Sequence, residues 1–145
     1  MSDIAEAALA LAAAQKTGLP VVVSFTFDTG KNKDRTMTGA TPEQAAHQLT
    51  DAGASVIGAN CGVGIGEYIP ICRRLRAATS LPLWIKANAG LPEMVDGQPV
   101  YRTAPEQFAA QLPALVEAGA TFVGGCCGTT PDFIRAVARM LMTRV

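Results

Sequence analysis

At residues 52–61 the chain reads Ala52-Gly53-Ala54-Ser55-Val56-Ile57-Gly58-Ala59-Asn60-Cys61, and residues 118–126 repeat the pattern as Ala118-Gly119-Ala120-Thr121-Phe122-Val123-Gly124-Gly125-Cys126. Each copy follows a similar helix start, Thr41-Pro42-Glu43-Gln44 in the first case and Ala104-Pro105-Glu106-Gln107 in the second. A glycine directly after a helical pattern is a typical helix end, and the short apolar run behind it indicates a strand. The repeat therefore predicts, twice, a helix, a strand and a cysteine at the strand's carboxyl end.

The remaining segments continue this alternation. We predict helices at 2–17, 41–52, 66–78, 104–118 and 130–143, and strands at 21–27, 55–60, 81–88 and 120–125. The first strand is β-branched, aromatic and nearly continuous in apolar character, which is typical of parallel strands covered on both faces. Segments 28–40 and 89–103 are predicted loops, and loops as long as the second are usually functional.

Strands that alternate with helices predict a parallel sheet with right-handed crossovers. The repeat spans two strand–helix units, so the cysteines lie on alternate strands, which in a (β/α)8 barrel point into one interior layer with the active site at the carboxyl rim. We therefore predict an α/β chain of one domain over residues 1–145, forming half of a TIM-type barrel with four strands and about five helices. A flavodoxin-like sheet is the alternative, but the turn at 27–31 only weakly resembles its phosphate-binding loop.

The composition favours a globular protein with a small ligand. Hydrophobic residues make up 49% and charged residues 17%, with 12 basic and 12 acidic side chains. Because no basic cluster is interleaved with aromatics, nucleic acid and anionic membranes are poor partner candidates, and no apolar run reaches the ~20 residues of a membrane span. The opening segment does not resemble a signal peptide, so we predict a cytoplasmic location, where thiols serve metal binding or catalysis.

Three of the four cysteines indicate a metal site. Cys61, Cys126 and Cys127 follow strands in glycine-rich turns, and three thiolates with one exchangeable ligand form the pattern of catalytic zinc. Two adjacent cysteines cannot both point into a core from a strand. Redox chemistry at this pair is an alternative, although a disulfide between neighbours is strained. Cys72 is predicted to be a core residue of a helix, and His47 a solvated surface residue.

Three motifs resemble the homocysteine S-methyltransferase domain: Gly58-Ala59-Asn60-Cys61-Gly62, Lys86-Ala87-Asn88-Ala89-Gly90-Leu91-Pro92 and Gly124-Gly125-Cys126-Cys127-Gly128-Thr129-Thr130-Pro131. The resemblance covers essentially the whole chain but only the second half of that domain, strands five to eight of a zinc-dependent barrel. It implies that Cys61, Cys126 and Cys127 bind Zn²⁺ and that Asn88 completes the resting site until a substrate sulfur replaces it. Ala87 stands where the family has proline.

The resemblance also implies a function. It predicts methyl transfer to a small-molecule thiol such as homocysteine, giving methionine, with methylcobalamin or another donor carried by a partner such as a corrinoid domain. A half-barrel leaves two edges unpaired and its interior open, so it needs a cover. The cover is predicted to be a second copy in a homodimer, a partner chain supplying the N-terminal half-barrel, or the rest of a longer enzyme. The alternative function is a non-catalytic zinc-binding half-barrel that acts as an assembly module.

Overall fold

The computed structural model describes residues 1–142 and contains one four-stranded parallel sheet with flanking helices. The strands are β1 (Val22–Phe25), β2 (Val56–Cys61), β3 (Leu83–Ala87), β4 (Glu93–Val95), β5 (Gln98–Val100) and β6 (Phe122–Gly125). The helices are α1 (Ile4–Gln15), α2 (Pro42–Asp51), α3 (Tyr68–Ala78), α4 (Pro105–Ala110), α5 (Leu112–Glu117) and α6 (Pro131–Met142). None of the helices in the described part of the chain is both long and apolar enough to cross a membrane.

The sheet has the strand order β1-β2-β3-β6, with every neighbouring pair parallel. Strands therefore neighbour one another in chain order, with no switch point. A flavodoxin-like sheet would reverse its order after the first strand, so this alternative was wrong. Successive parallel strands linked by helices are the arrangement of a (β/α) barrel, and the prediction of half a TIM-type barrel is confirmed.

The core lies between the sheet and its helices. Alternate strand residues such as Phe25, Ile57 and Ile85 are fully buried against the helical layer, as the period of two in a strand requires. Under β6, Phe108 of α4 packs edge-on against Phe133 of α6 with ring centroids 5.5 Å apart. The helices therefore bury most of one face of the sheet.

The other face of the sheet corresponds to the barrel interior and is open. Val22 and Phe122 remain 38% and 48% exposed there, although both are large apolar residues. Trp84 packs on Phe122 with centroids 6.0 Å apart, and the Nζ of Lys86 lies 5.2 Å from the centre of the Trp84 ring. This inner face is the surface that a full barrel would bury.

Two segments differ from the sequence prediction. The predicted loop 89–103 contains the hairpin β4–β5, because Asp96 and Gly97 both have positive φ (49° and 75°), as a two-residue type I′ turn needs. The predicted helix 104–118 is divided at Gln111 into α4 and α5, because Pro113 lacks the N–H that would continue the helical hydrogen bonds. The last helix is described to Met142, and position 143 of the prediction lies outside the described residues.

Candidate metal centre

Cys61 ends β2 in an unusual backbone conformation. Its φ is 62°, a left-handed value that non-glycine residues seldom adopt, and Gly62 follows at 67°. The turn is supported from both sides, because Tyr68 donates its hydroxyl to the Asn60 carbonyl at 2.5 Å and Asn60 Nδ2 lies 3.1 Å from the Cys61 sulfur. Strain held in this way is typical of functional sites.

Cys126 and Cys127 leave β6 in a second tight turn. The Cys126 N–H donates to the Ala87 carbonyl at 2.8 Å, so the pairing of β3 with β6 continues into the turn. Thr129 closes the turn by donating its hydroxyl to the Cys126 carbonyl at 2.7 Å. Gly128 then reverses the chain with a φ of 78°.

The two turns bring the three sulfurs together at the carboxyl rim. All three Sγ atoms lie within 4.8 Å of one another, with 3.2 Å from Cys61 to Cys126 and 3.9 Å from Cys126 to Cys127. Sulfurs about 2.3 Å from one tetrahedral zinc ion would be about 3.8 Å apart, so the donor set suits zinc in chemistry and spacing. Cys127 is exposed and the other two are half-buried, which leaves the cluster open toward solvent.

Asn88 lies between the two cysteine turns at the end of β3. Its Nδ2 donates to the Gly62 carbonyl at 2.8 Å, and its Oδ1 accepts from the Cys127 N–H at 3.0 Å. Its own N–H donates to the Cys61 carbonyl at 3.1 Å. Asn88 is therefore hydrogen-bonded to the backbone of both cysteine turns, and its role as a metal ligand stays a prediction.

Cys72 and His47 lie outside the site. Cys72 is fully buried in α3, and burial raises the pKa of its thiol to about 11. His47 is exposed on α2. Both predictions, a core cysteine and a surface histidine, are confirmed.

Sequence reasoning missed two tyrosines that support the cysteine turns. A β-carbon at Gly62 would lie 2.7 Å from the hydroxyl of Tyr68, and one at Gly128 would lie 2.6 Å from Cδ2 of Tyr101. Tyr68 is buried, which raises the pKa of its hydroxyl. The signal was the glycine directly after each cysteine turn, since glycine often marks a close approach of other groups to the backbone.

A cleft of about 520 Å³ lies beside Asn88. It runs between the loop after β2, the start of the hairpin segment and α4; its lining includes Gly64, Glu67, Leu91, Thr103 and Gln107. The cleft reaches the site at Asn88, and none of the three cysteines lines it.

Comparisons with known proteins agree with this geometry. The family model described as homocysteine S-methyltransferase matches residues 1–141. The methionine synthase of Mycobacterium leprae is 35% identical over 121 residues, which are 83% of this chain and 10% of that protein, and the Mycobacterium tuberculosis methionine synthase is 33% identical over the same shares. The chain thus spans about a tenth of these curated relatives.

Solved structures show the same fold. The homocysteine methyltransferase MmuM from Escherichia coli superposes in its metallated form with a TM-score of 0.72 at 23% identity, over 96% of this chain and 42% of that one. Its apo form gives a TM-score of 0.74 at 23% identity and covers 96% and 47% of the two chains. Four parallel strands match less than half of those barrels, as a half-barrel should. By its family match, this chain belongs to the homocysteine S-methyltransferase family.

Proposed function

We propose that this chain binds zinc through Cys61, Cys126 and Cys127 and takes part in methyl transfer to a thiol such as homocysteine, giving methionine. The observation that carries the proposal is the convergence of the three sulfurs within 4.8 Å at the carboxyl rim. Family membership supports the reaction type. The barrel half also places the cluster where barrel enzymes hold their active sites.

The zinc ion and the three cysteines would have separate chemical roles. A bound zinc ion would favour the thiolate form of a substrate thiol whose pKa is otherwise about 8.5. The three cysteines fill the protein side of such a site, and the exposed side at Cys127 admits the substrate. Within residues 1–142, no histidine or carboxylate joins the cluster, so the cysteines are its only ionisable ligands.

Asn88 is our proposed fourth ligand of the resting site. Its Oδ1 accepts one hydrogen bond from Cys127 and keeps a second lone pair, since an amide oxygen has two. The methyl donor is proposed to be methylcobalamin or another donor on a partner such as a corrinoid domain. We also propose a cytoplasmic location, because reducing compartments preserve free thiols such as these four.

The inner face of the sheet supports a need for a partner half. Among residues 1–142, no carboxylate forms a salt bridge with Lys86, which faces the open interior beside exposed Phe122. Met1 pairs with the outer edge of β1, donating its ammonium to the Ser24 carbonyl at 2.8 Å and accepting from the Thr26 N–H at 3.1 Å.

Any completing half would have to displace Met1 from this edge, but only a second copy would also bring two Lys86 cations into one interior. Like charges in one interior repel strongly. We therefore propose that residues 1–145 form one unit that is completed by an N-terminal half-barrel, not by a second copy.

Metal and thiol binding test the proposed function. We expect about one zinc per chain and homocysteine binding with proton release, because a coordinated thiol loses its proton. Cys61→Ser should lose most zinc affinity, whereas the matched control Cys72→Ala should keep it. Wild-type affinity in Cys61→Ser would refute the zinc site. Zinc binding without thiol binding would instead favour the non-catalytic assembly module.

A further inference from the structure

Asn88 is connected to both cysteine turns at once. β3 lies between β2, which ends in Cys61, and β6, which leads to Cys126 and Cys127. From this central position the Asn88 side chain donates to Gly62 on one side and accepts from the N–H of Cys127 on the other. Asn88 thus links the backbones of the two turns, whose sulfurs contact one another directly.

The chemistry of the position calls for an asparagine. The side chain is only 8% exposed, and it must present one donor and one acceptor in opposite directions. An aspartate would keep the acceptor for the Cys127 N–H but could not donate to the Gly62 carbonyl. An alanine would leave both backbone groups without this partner.

We propose that Asn88 is a positioning residue that sets the spacing of the cysteine sulfurs through the two backbone turns, whether or not its oxygen also contacts the metal. The proposal rests on the proposed zinc site and deepens it. Outer partners of metal ligands typically contribute 10- to 100-fold to metal affinity. We expect an effect of this size at Asn88, although it donates to and accepts from backbone groups, not sulfur atoms.

A thiol competition separates this role from that of a simple fourth ligand. The zinc dissociation constant is measured with a chromophoric chelator for wild type and Asn88→Ala, first alone and then with saturating homocysteine. A positioning role predicts a loss of about 10- to 100-fold under both conditions. If Asn88 acts only as a ligand, the thiol takes its place and the loss disappears with homocysteine, which would overturn the proposal.

The isosteric Asn88→Asp provides a second test. A carboxylate is a better zinc ligand than an amide, so a ligand role predicts equal or tighter binding. A positioning role predicts weaker binding, because the donor to Gly62 is lost. Asn32→Asp, which makes the same change at an exposed position of the loop before α2, is the matched control and should bind zinc like wild type.

Hydrogen exchange of the Cys127 amide tests the proposal without any metal. In metal-free protein we expect this amide to exchange at least tenfold faster in Asn88→Ala than in wild type, and to stay protected in Asn88→Asp and Asn32→Asp. Equal exchange in all four proteins would overturn the positioning role. This measurement needs no zinc. If wild type failed to bind zinc, only the proposed function would be contradicted, and the exchange rates would still test the positioning role.

Discussion

Replacing Gly128 by alanine is predicted to destabilise the fold at the second cysteine turn through Tyr101. Gly128 has a φ of 78°, and its missing β-carbon would lie 2.6 Å from Cδ2 of the Tyr101 ring and closer still to Cγ and Cδ1. Tyr101 is half-buried and follows the β4–β5 hairpin, so either the ring must turn away or that segment must move. The substitution therefore combines backbone strain with a steric overlap.

The magnitude follows from these two parts. A left-handed backbone costs an alanine about 1–2 kcal/mol, and forcing an extra methyl group into a packed contact costs about 1–3 kcal/mol. Gly128→Ala should thus lower the free energy of unfolding by roughly 2–5 kcal/mol. The matched control is Gly18→Ala, because Gly18 has a φ of 72° with open space around its β-carbon and should lose only the backbone part.

Urea unfolding of four variants measures the contact directly. Gly128→Ala, Tyr101→Ala and the variant with both substitutions form a double-mutant cycle with wild type. Gly18→Ala is the backbone control, and all four are unfolded in urea. Without the Tyr101 ring, the steric cost of Gly128→Ala, about 1–3 kcal/mol, should disappear. Only the backbone cost should remain. Equal losses in Gly128→Ala and Gly18→Ala, or an additive cycle, would refute the reasoning.

Three further predictions concern stability and reactivity. The hydrogen bond from Arg74 lowers the pKa of Glu43 from its usual 4.5 to about 2, so the pair stabilises the fold above pH 4.5 and loses its effect as the pH falls toward 2. Because Glu43 is 39% exposed, Glu43→Gln should cost only about 1 kcal/mol at neutral pH and almost nothing near pH 2, and a pH-independent loss in urea unfolding would contradict this. Buried Cys72 should react with a thiol reagent only after unfolding, while the three site cysteines of metal-free protein react in the native state; four fast thiols would contradict its burial. Phe108→Ala removes a fully buried ring that packs on Phe133 and should cost about 3–5 kcal/mol, and a loss below about 1 kcal/mol in the same assay would be incompatible with this core.

Sequence patterns predicted the positions of the site cysteines better than the local structure of the segments around them. The glycine after each predicted helix and the apolar runs behind it placed Cys61 and Cys126 at strand ends, where the structure has them. The hairpin within 89–103 was missed although Asp96-Gly97 is a strong turn signal, because its strands are short and exposed and carry no clear alternation. The division of the helix at Gln111 depends on Pro113 inside an otherwise continuous helical pattern.

Local sequence thus determined where strands and helices form, which side chains are apolar enough to be buried, and which cysteines stand at strand ends. These properties depend on near neighbours in the chain, so periodicity and turn chemistry suffice to read them. The tertiary structure alone decided that sulfurs 65 residues apart lie 3.2 Å from each other and that Asn88 links their two turns. Such distances depend on the register between strands and on the left-handed conformation of Cys61, which packing of distant segments fixes and no local pattern encodes.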